Sequence, residues 1–281
     1  MQNSNILEKY FYSSPLYSIK WKQYFEVYLK IFEKFREKKI TFVEVGTAMG
    51  GSLFMWRKFF GNKARIIGID LNPEAKKLKK FGFEIYIGDQ AEDSFWKNFY
   101  KKTGKIDILL DDGGHTNIQQ ISTLYNSINY IKDGGLIVTE DTHASYMSKG
   151  FNNPSKFSFI NYSKQIIDSI HKRCTSLNKL EDLFSKKVYS ISYYESITIL
   201  EINALKCNLN YIVHNKNKNI NFVDYRHKSN FIKFKKYSSK YLNFFTKFEL
   251  YNFLVKKISG RNIFYKIINR NKTKRYFQNF K

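Results

Sequence analysis

Glu44-Val45-Gly46-Thr47-Ala48-Met49-Gly50-Gly51-Ser52 is the stretch on which the reading of this chain turns. It closes an apolar run, residues 40–45, and leads into a helical pattern over residues 52–60. A buried strand, a glycine loop and a helix, in that order, open a βαβ unit. Gly46, Gly50 and Gly51 let the backbone turn tightly and come close to a ligand, and the helix starting at Ser52 offers N–H groups. The spacing is Glu-x-Gly-x-Ala-x-Gly, whereas a dinucleotide fingerprint wants glycine where Ala48 stands. Glu44 at the strand end would repel a pyrophosphate and suits a cationic ligand.

The same plan recurs downstream. Apolar runs at residues 65–70, 83–87, 106–110 and 136–139 end respectively in Asp70, Gly88-Asp89-Gln90, Asp111-Asp112-Gly113-Gly114-His115 and Glu140-Asp141. Between them lie helical patterns at 76–80, 91–102 and 118–131, and a turn at Asp133-Gly134-Gly135. Strands alternating with helices predict a parallel sheet with right-handed crossovers. Ligands of such sheets bind outside the carboxyl ends of the strands, so the five polar stations describe one crevice. Residues 18–38 carry an apolar face at helical spacing and predict an amphipathic helix ahead of the first strand. A polar connector, 145–156, is long enough for a loop over the site, and residues 157–173 read as a helix. Residues 188–193 and 196–202 are too closely spaced for a crossover and predict an antiparallel hairpin.

Each station has a chemical reading. Asp70 stands 26 residues after Glu44, where an acid can accept both ribose hydroxyls of a nucleoside. Asp89 and Gln90 suit the exocyclic amine of adenine, and Asp89 equally suits a helix N-cap. S-adenosylmethionine, with its sulfonium and ammonium, answers to Glu44. Asp111 and Asp112 repel each other unless a proton or cation intervenes, and Glu140-Asp141 brings two more carboxylates. Hard oxygen donors favour magnesium, calcium or manganese. His115, three residues after Asp112, suits a general base. His143 is a weaker candidate, and His171 reads as a helix residue without a role.

Glu44 to Ser52, Asp70, Asp111 to His115 and Val138-Thr139-Glu140-Asp141 together resemble the class I S-adenosylmethionine-dependent methyltransferases, and within them the metal-dependent macrocin and mycinamicin type of sugar O-methyltransferase. The stretches Ile191-Ser192-Tyr193-Tyr194-Glu195-Ser196-Ile197 and Tyr24-Phe25-Glu26-Val27-Tyr28 resemble that family too, so the likeness runs from about Tyr17 to Asn203. It implies a Rossmann-like α/β fold, a mostly parallel seven-stranded sheet ending in an antiparallel hairpin. It implies cofactor contacts from Glu44, Gly46, Thr47, Gly50, Gly51, Ser52, Asp70, Asp89, Gln90 and Asp111. Asp112, Glu140 and Asp141 would ligate a divalent ion, Mg foremost, Mn or Fe as alternatives. His115 would take the proton from a sugar hydroxyl. Gly114 departs from the serine that such relatives often carry, with little effect expected.

Composition frames the rest. The chain of 281 residues, 43% hydrophobic and 18% aromatic, can bury a full core. The organisation expected is an N-terminal helical segment (1–39), a Rossmann-like domain (40–205) and a basic, helical C-terminal extension (206–281). Of the net charge of +24, residues 215–281 hold 18 basic against 2 acidic side chains, or +16, leaving +8 for the remainder. That asymmetry points to an anionic partner for the tail: a nucleotide diphosphate, a glycan carrier, an acidic membrane surface or another subunit. Residues of AT-rich codons (Lys, Asn, Ile, Phe, Tyr) account for the basicity equally well. Cys174 and Cys207 fit reduced thiols, and no apolar run suggests a signal peptide or membrane span; a cytoplasmic enzyme, plausibly a homo-oligomer, is expected. The AT-rich character favours a nucleotide-linked heptose or deoxyhexose for a bacterial capsular polysaccharide over an antibiotic as acceptor. An RNA methyltransferase and a non-catalytic scaffold of glycan assembly are the alternatives. Nucleic acid is disfavoured because acidic strand ends repel phosphates.

Overall fold

The computed structural model describes residues 5–147, 156–174, 182–208 and 211–216. The elements named here all lie in the compact unit Met1–Val213. In chain order they are α1 (Ile6–Tyr12), α2 (Tyr24–Phe32), β1 (Thr41–Val45), α3 (Gly51–Phe60), β2 (Arg65–Asp70), β3 (Glu84–Ile87), α4 (Asp93–Thr103), β4 (Ile106–Asp111), α5 (Asn117–Ser127), β5 (Ile131–Thr139), α6 (Phe159–His171), α7 (Leu183–Lys187), β6 (Val188–Tyr194) and β7 (Ile197–Ile202).

The strands form one seven-stranded sheet in the order β3-β2-β1-β4-β5-β7-β6. β1 to β5 pair in parallel, and β7 runs antiparallel to both β5 and β6. The predicted parallel sheet and closing hairpin are therefore both present. The order reverses beside β1, which pairs with β2 on one side and β4 on the other, and that switch point is where such sheets open a crevice. Register aligns the strand ends: Val45 is opposite Ile69 and Asp111, and Asp111 is opposite Thr139.

Alternation along the strands sorts side chains to two faces. Phe42, Leu110 and Val138 pack with Tyr28, Phe32, Trp56 and Phe60 on one face. Val43, Leu109 and Ile137 pack with Trp96, Phe99, Leu124 and Phe159 on the other. Each such fully buried side chain stabilises by about 1.5–3 kcal/mol. The face follows parity, so Glu44, Asp112 and Glu140 continue the rows of Phe42, Leu110 and Val138, towards α2 and α3. Asp111 continues the row of Leu109.

Several expectations need correction. The helix expected over residues 18–38 covers only Tyr24–Phe32, followed by a short 3₁₀ turn, Glu33–Phe35. Ser18-Ile19-Lys20-Trp21-Lys22 alternates polar and apolar, a period that cannot keep one helical face buried, and all of it stays outside the helix. Residues 76–80 lie in a 3₁₀ segment, Pro73–Phe81. β5 starts at Ile131, so Asp133-Gly134-Gly135 sits inside the strand, at a shift of register against β4. α1 lies within the N-terminal helical segment expected over 1–39, where no separate helix had been bounded, and α7 was not anticipated. α1 packs on α3, so the N-terminal segment shares the core of the sheet domain. The basic extension falls almost wholly outside the described residues, as does most of the 145–156 connector.

Candidate active site

At the carboxyl ends of β1, β2, β4 and β5 lies a cavity of about 840 Å³, within the range of small-molecule sites. Gly46, Thr47, Ser52, Asp70, Asp89, Gln90, Asp112, His115, Glu140 and Asp141 line it. Glu44, Gly50, Gly51 and Asp111 do not.

The glycine loop is held by the strand beside it. Asp70 Oδ2 accepts from the N–H groups of Thr47 and Ala48 (3.0 and 2.9 Å) and from Thr47 Oγ1 (3.0 Å), while Oδ1 accepts from Asn72 N–H (2.8 Å). Three donors crowd Oδ2, whereas Oδ1 accepts from one N–H and keeps a second lone pair, so Asp70 braces the loop and can offer one further acceptor position. Gly46 has φ +84°, and a Cβ there would run into the Asp112 carbonyl. The loop and β4 approach backbone to backbone, which only glycine permits. Gly51 meets the Leu16 and Tyr17 carbonyls in the same way, so its role here is packing of the N-terminal segment.

Glu44 is sealed behind the loop with no exposure. It accepts from Ser52 Oγ (2.7 Å) and Trp56 Nε1 (3.1 Å), and burial pushes its carboxyl up. Asp111 is equally buried on the opposite face, where Oδ1 accepts from Gln90 Nε2 (2.9 Å) and Gly113 N–H (3.2 Å). Burial pushes its pKa up to about 6. Gln90 is the linchpin of that side: Nε2 also donates to Thr123 (2.9 Å), and Oε1 accepts from Gly114 N–H (3.0 Å). Asp89 accepts from Ala91 N–H (2.8 Å) in a turn ahead of α4, whose N-cap is Glu92 and not Asp89 as expected, and it also lines the cavity.

The acidic stations meet a cation that sequence reasoning missed. Lys20 Nζ lies 2.5 Å from Asp112 Oδ2, 3.2 and 3.1 Å from Glu140 Oε1 and Oε2, and 3.5 Å from Glu44 Oε1. Burial works against its charge, but Asp112, Glu140 and Glu44 reverse that and hold its pKa well above the ordinary lysine value. Tyr28 OH donates to Glu140 Oε1 (2.5 Å), and Tyr24 OH and Trp21 Nε1 donate to Asp141 Oδ1 (2.6 and 3.1 Å). The expectation that these carboxylates would need a metal to be tolerated thus meets a second answer, an internal ammonium. The period-two pattern of residues 18–22 was the available sign that Lys20 and Trp21 stand outside a helix.

His115 Nε2 lies 3.4 Å from Asp141 Oδ2 and 3.9 Å from Asp112 Oδ1. Among the described residues, Asp112, His115 and Asp141 offer ligand atoms all within 4.8 Å of one another. Glu140 is not in that group, since it is turned to Lys20 and Tyr28. His115 and Asp141 both have left-handed backbones (φ 58° and 52°), as does Ala48 (φ 46°), conformations costly for residues other than glycine and concentrated at functional sites. His143 Nδ1 is hydrogen-bonded to Ser196 Oγ at the rim. His171 closes α6, away from the cavity.

Residues 43–142, from β1 through the acidic pair after β5, match the family described as methyltransferase domain. The chain is 27% identical over 157 residues to 8-demethyl-8-alpha-L-rhamnosyl tetracenomycin-C 2'-O-methyltransferase of Streptomyces olivaceus, covering 53% of this chain and 41% of that protein. It is 26% identical over 188 residues to mycinamicin VI 2''-O-methyltransferase of Micromonospora griseorubida, covering 62% of this chain and 46% of that protein. The chain therefore spans less than half the length of these curated relatives. The MycE methyltransferase of the mycinamycin biosynthetic pathway, solved in complex with Mg, SAH and mycinamycin VI, shares the fold with a TM-score of 0.62. Its identity is 21%, over 72% of this chain and 54% of that one. The seven-stranded sheet and its helices thus have the Rossmann-like methyltransferase fold. Among the described residues no helix is long and apolar enough to cross a membrane.

Proposed function

We propose that this chain is an S-adenosylmethionine-dependent O-methyltransferase that acts on a sugar hydroxyl with the help of a divalent ion. One observation carries the reading: the cavity that receives the glycine loop and Asp70 also receives Asp112, His115 and Asp141. The named relatives that methylate sugars support it.

The residues fit the methyl donor. Gly46 lines the cavity, Asp70 Oδ1 keeps one lone pair for a ribose hydroxyl, and Asp89 can accept from the exocyclic amine of adenine, whereas the Gln90 amide is engaged by Asp111, Thr123 and Gly114. Glu44 does not touch the cavity, so it serves by holding Ser52 and Trp56, not by pairing with the donor's ammonium. Asp111 acts through Gln90 in the same indirect way.

The residues also fit a hard divalent ion. Magnesium is usually held by one or two carboxylates with water and substrate oxygens completing its shell, and Asp112 and Asp141 supply two. When bound, the ion would lower the pKa of a sugar hydroxyl and offset charge that develops on its oxygen. His115 is then left as the base. Its Nε2 takes the hydroxyl proton, the oxygen forms a bond to the methyl carbon of S-adenosylmethionine as the carbon–sulfur bond breaks, and S-adenosylhomocysteine leaves. The role of Asp141 beside His115 is to stabilise the imidazolium that results. Iron, a softer ion, would recruit His115 as a ligand and remove it from that task.

For the acceptor we favour a nucleotide-linked deoxyhexose or heptose destined for a surface polysaccharide, handled in the cytoplasm where such sugars are made. The rhamnosyl group in the name of the tetracenomycin relative supports a deoxyhexose. The test is S-adenosylhomocysteine release with a panel of nucleotide-linked sugars and with RNA, with chelator and with added magnesium or manganese. Metal-dependent release with one sugar is the expected result. Release unaffected by chelator would overturn the metal, and release only with RNA would overturn the sugar.

A further inference from the structure

The floor of the cavity already contains a positive charge in the position of a ligated ion. Lys20 Nζ touches Asp112 and both oxygens of Glu140, with Glu44 behind them, and its side chain is 1% exposed. We propose that Lys20 occupies the place a divalent ion would need in order to bridge Asp112 and Glu140, so that ammonium and ion exclude each other there. Any ion the site takes is confined to the outward oxygens, Asp112 Oδ1 and Asp141 Oδ2. The inference rests on the metal-assisted reading above and deepens it.

Three observations lead there. A divalent ion needs its oxygens at roughly 2.0–2.6 Å, so an ion shared by the oxygens that Nζ contacts would overlap the ammonium. Two cations in a buried site also repel with little screening. Secondly, Lys20 is fixed. Its ammonium lies 5.9 Å from the centre of the Tyr28 ring, and withdrawing it would leave three carboxylates without a counter-charge, which buried groups tolerate poorly. Thirdly, the remaining carboxylates face apart. Tyr28 and Lys20 turn Glu140 inward, whereas Tyr24 and Trp21 hold Asp141 Oδ1 and leave Oδ2 beside His115. Lys20 is thus a positioning residue: it pins Asp112 Oδ2 so that Oδ1 faces His115.

The test is Mn²⁺ titration followed by electron paramagnetic resonance, on the full chain and on Lys20→Met, Glu140→Gln and the double variant, with circular dichroism as the check of folding. Lys20→Met is expected to bind Mn²⁺ about tenfold or more tightly than the wild type, and Glu140→Gln in that background to remove the gain. Glu140→Gln alone should leave the wild-type affinity within a factor of about three. If Lys20→Met binds no more tightly than the wild type, the proposal is overturned, while wild-type binding would leave the metal-assisted reading standing. If the wild type takes no ion and Lys20→Met does, the proposal stands and the metal-assisted reading falls. Should Lys20→Met not fold, Glu140→Gln decides: retained wild-type behaviour supports the proposal, and loss of Mn²⁺ binding overturns it.

Discussion

Glu44 shows how one residue can be found by sequence and still be assigned the wrong neighbours. Its position at the end of a strand was legible, but its direction follows the pleat, which points it with Phe42 towards α3 and away from the cavity. There it joins Ser52, Trp56 and Lys20. Glu44→Ala removes an acceptor from two donors and an anion from a buried lysine, so we expect a loss of about 3–5 kcal/mol. Thermal unfolding would register a melting temperature lower by roughly 10 °C; an unchanged melt would deny the pairing. His115 tests the chemistry instead. His115→Gln should reduce turnover by about 10²–10⁴-fold while S-adenosylhomocysteine still binds, as calorimetry can measure. Normal turnover would remove His115 from the reaction.

At the scale of elements, the joints of the site carry the stability of the loops. α5, which follows the Asp-Asp-Gly-Gly-His station, starts with a full capping box: Thr116 Oγ1 accepts from Gln119 N–H, and the Gln119 side chain accepts from Thr116 N–H. Thr116→Ala should cost about 1 kcal/mol, seen as a lower denaturant midpoint with unchanged slope. Gly46→Ala should cost more, about 2–3 kcal/mol, because it meets both a left-handed backbone and the Asp112 carbonyl. Cofactor affinity should fall with it, since loop and β4 can no longer close together; preserved affinity would refute that close approach. The strands and most helices were legible because their apolar periods are local. α1 was not bounded within the expected helical segment because its short run carries too few turns to show a period, and residues 18–22 were misjudged by extending the α2 period backwards.

Taken as a whole, the molecule buries one thiol and exposes another. Cys207 is 4% exposed and burial pushes its thiol up, whereas Cys174 lies at the surface. Maleimide labelling followed by peptide mapping should therefore modify Cys174 first, with Cys207 reacting only in denaturant; equal rates in the native state would contradict the packing after β7. The parallel sheet, its switch point and the crevice were determined by the sequence alone, because each strand, turn and polar end is written in neighbouring residues and right-handed crossovers leave few ways to connect them. The electrostatic centre was decided only by tertiary structure. Lys20 meets Asp112 and Glu140 across 92 and 120 residues of chain, and no local period encodes which distant carboxylate a lysine will face. That pairing exists because packing α2 on the sheet buries all these groups together, and burial makes an unpaired charge too costly to leave.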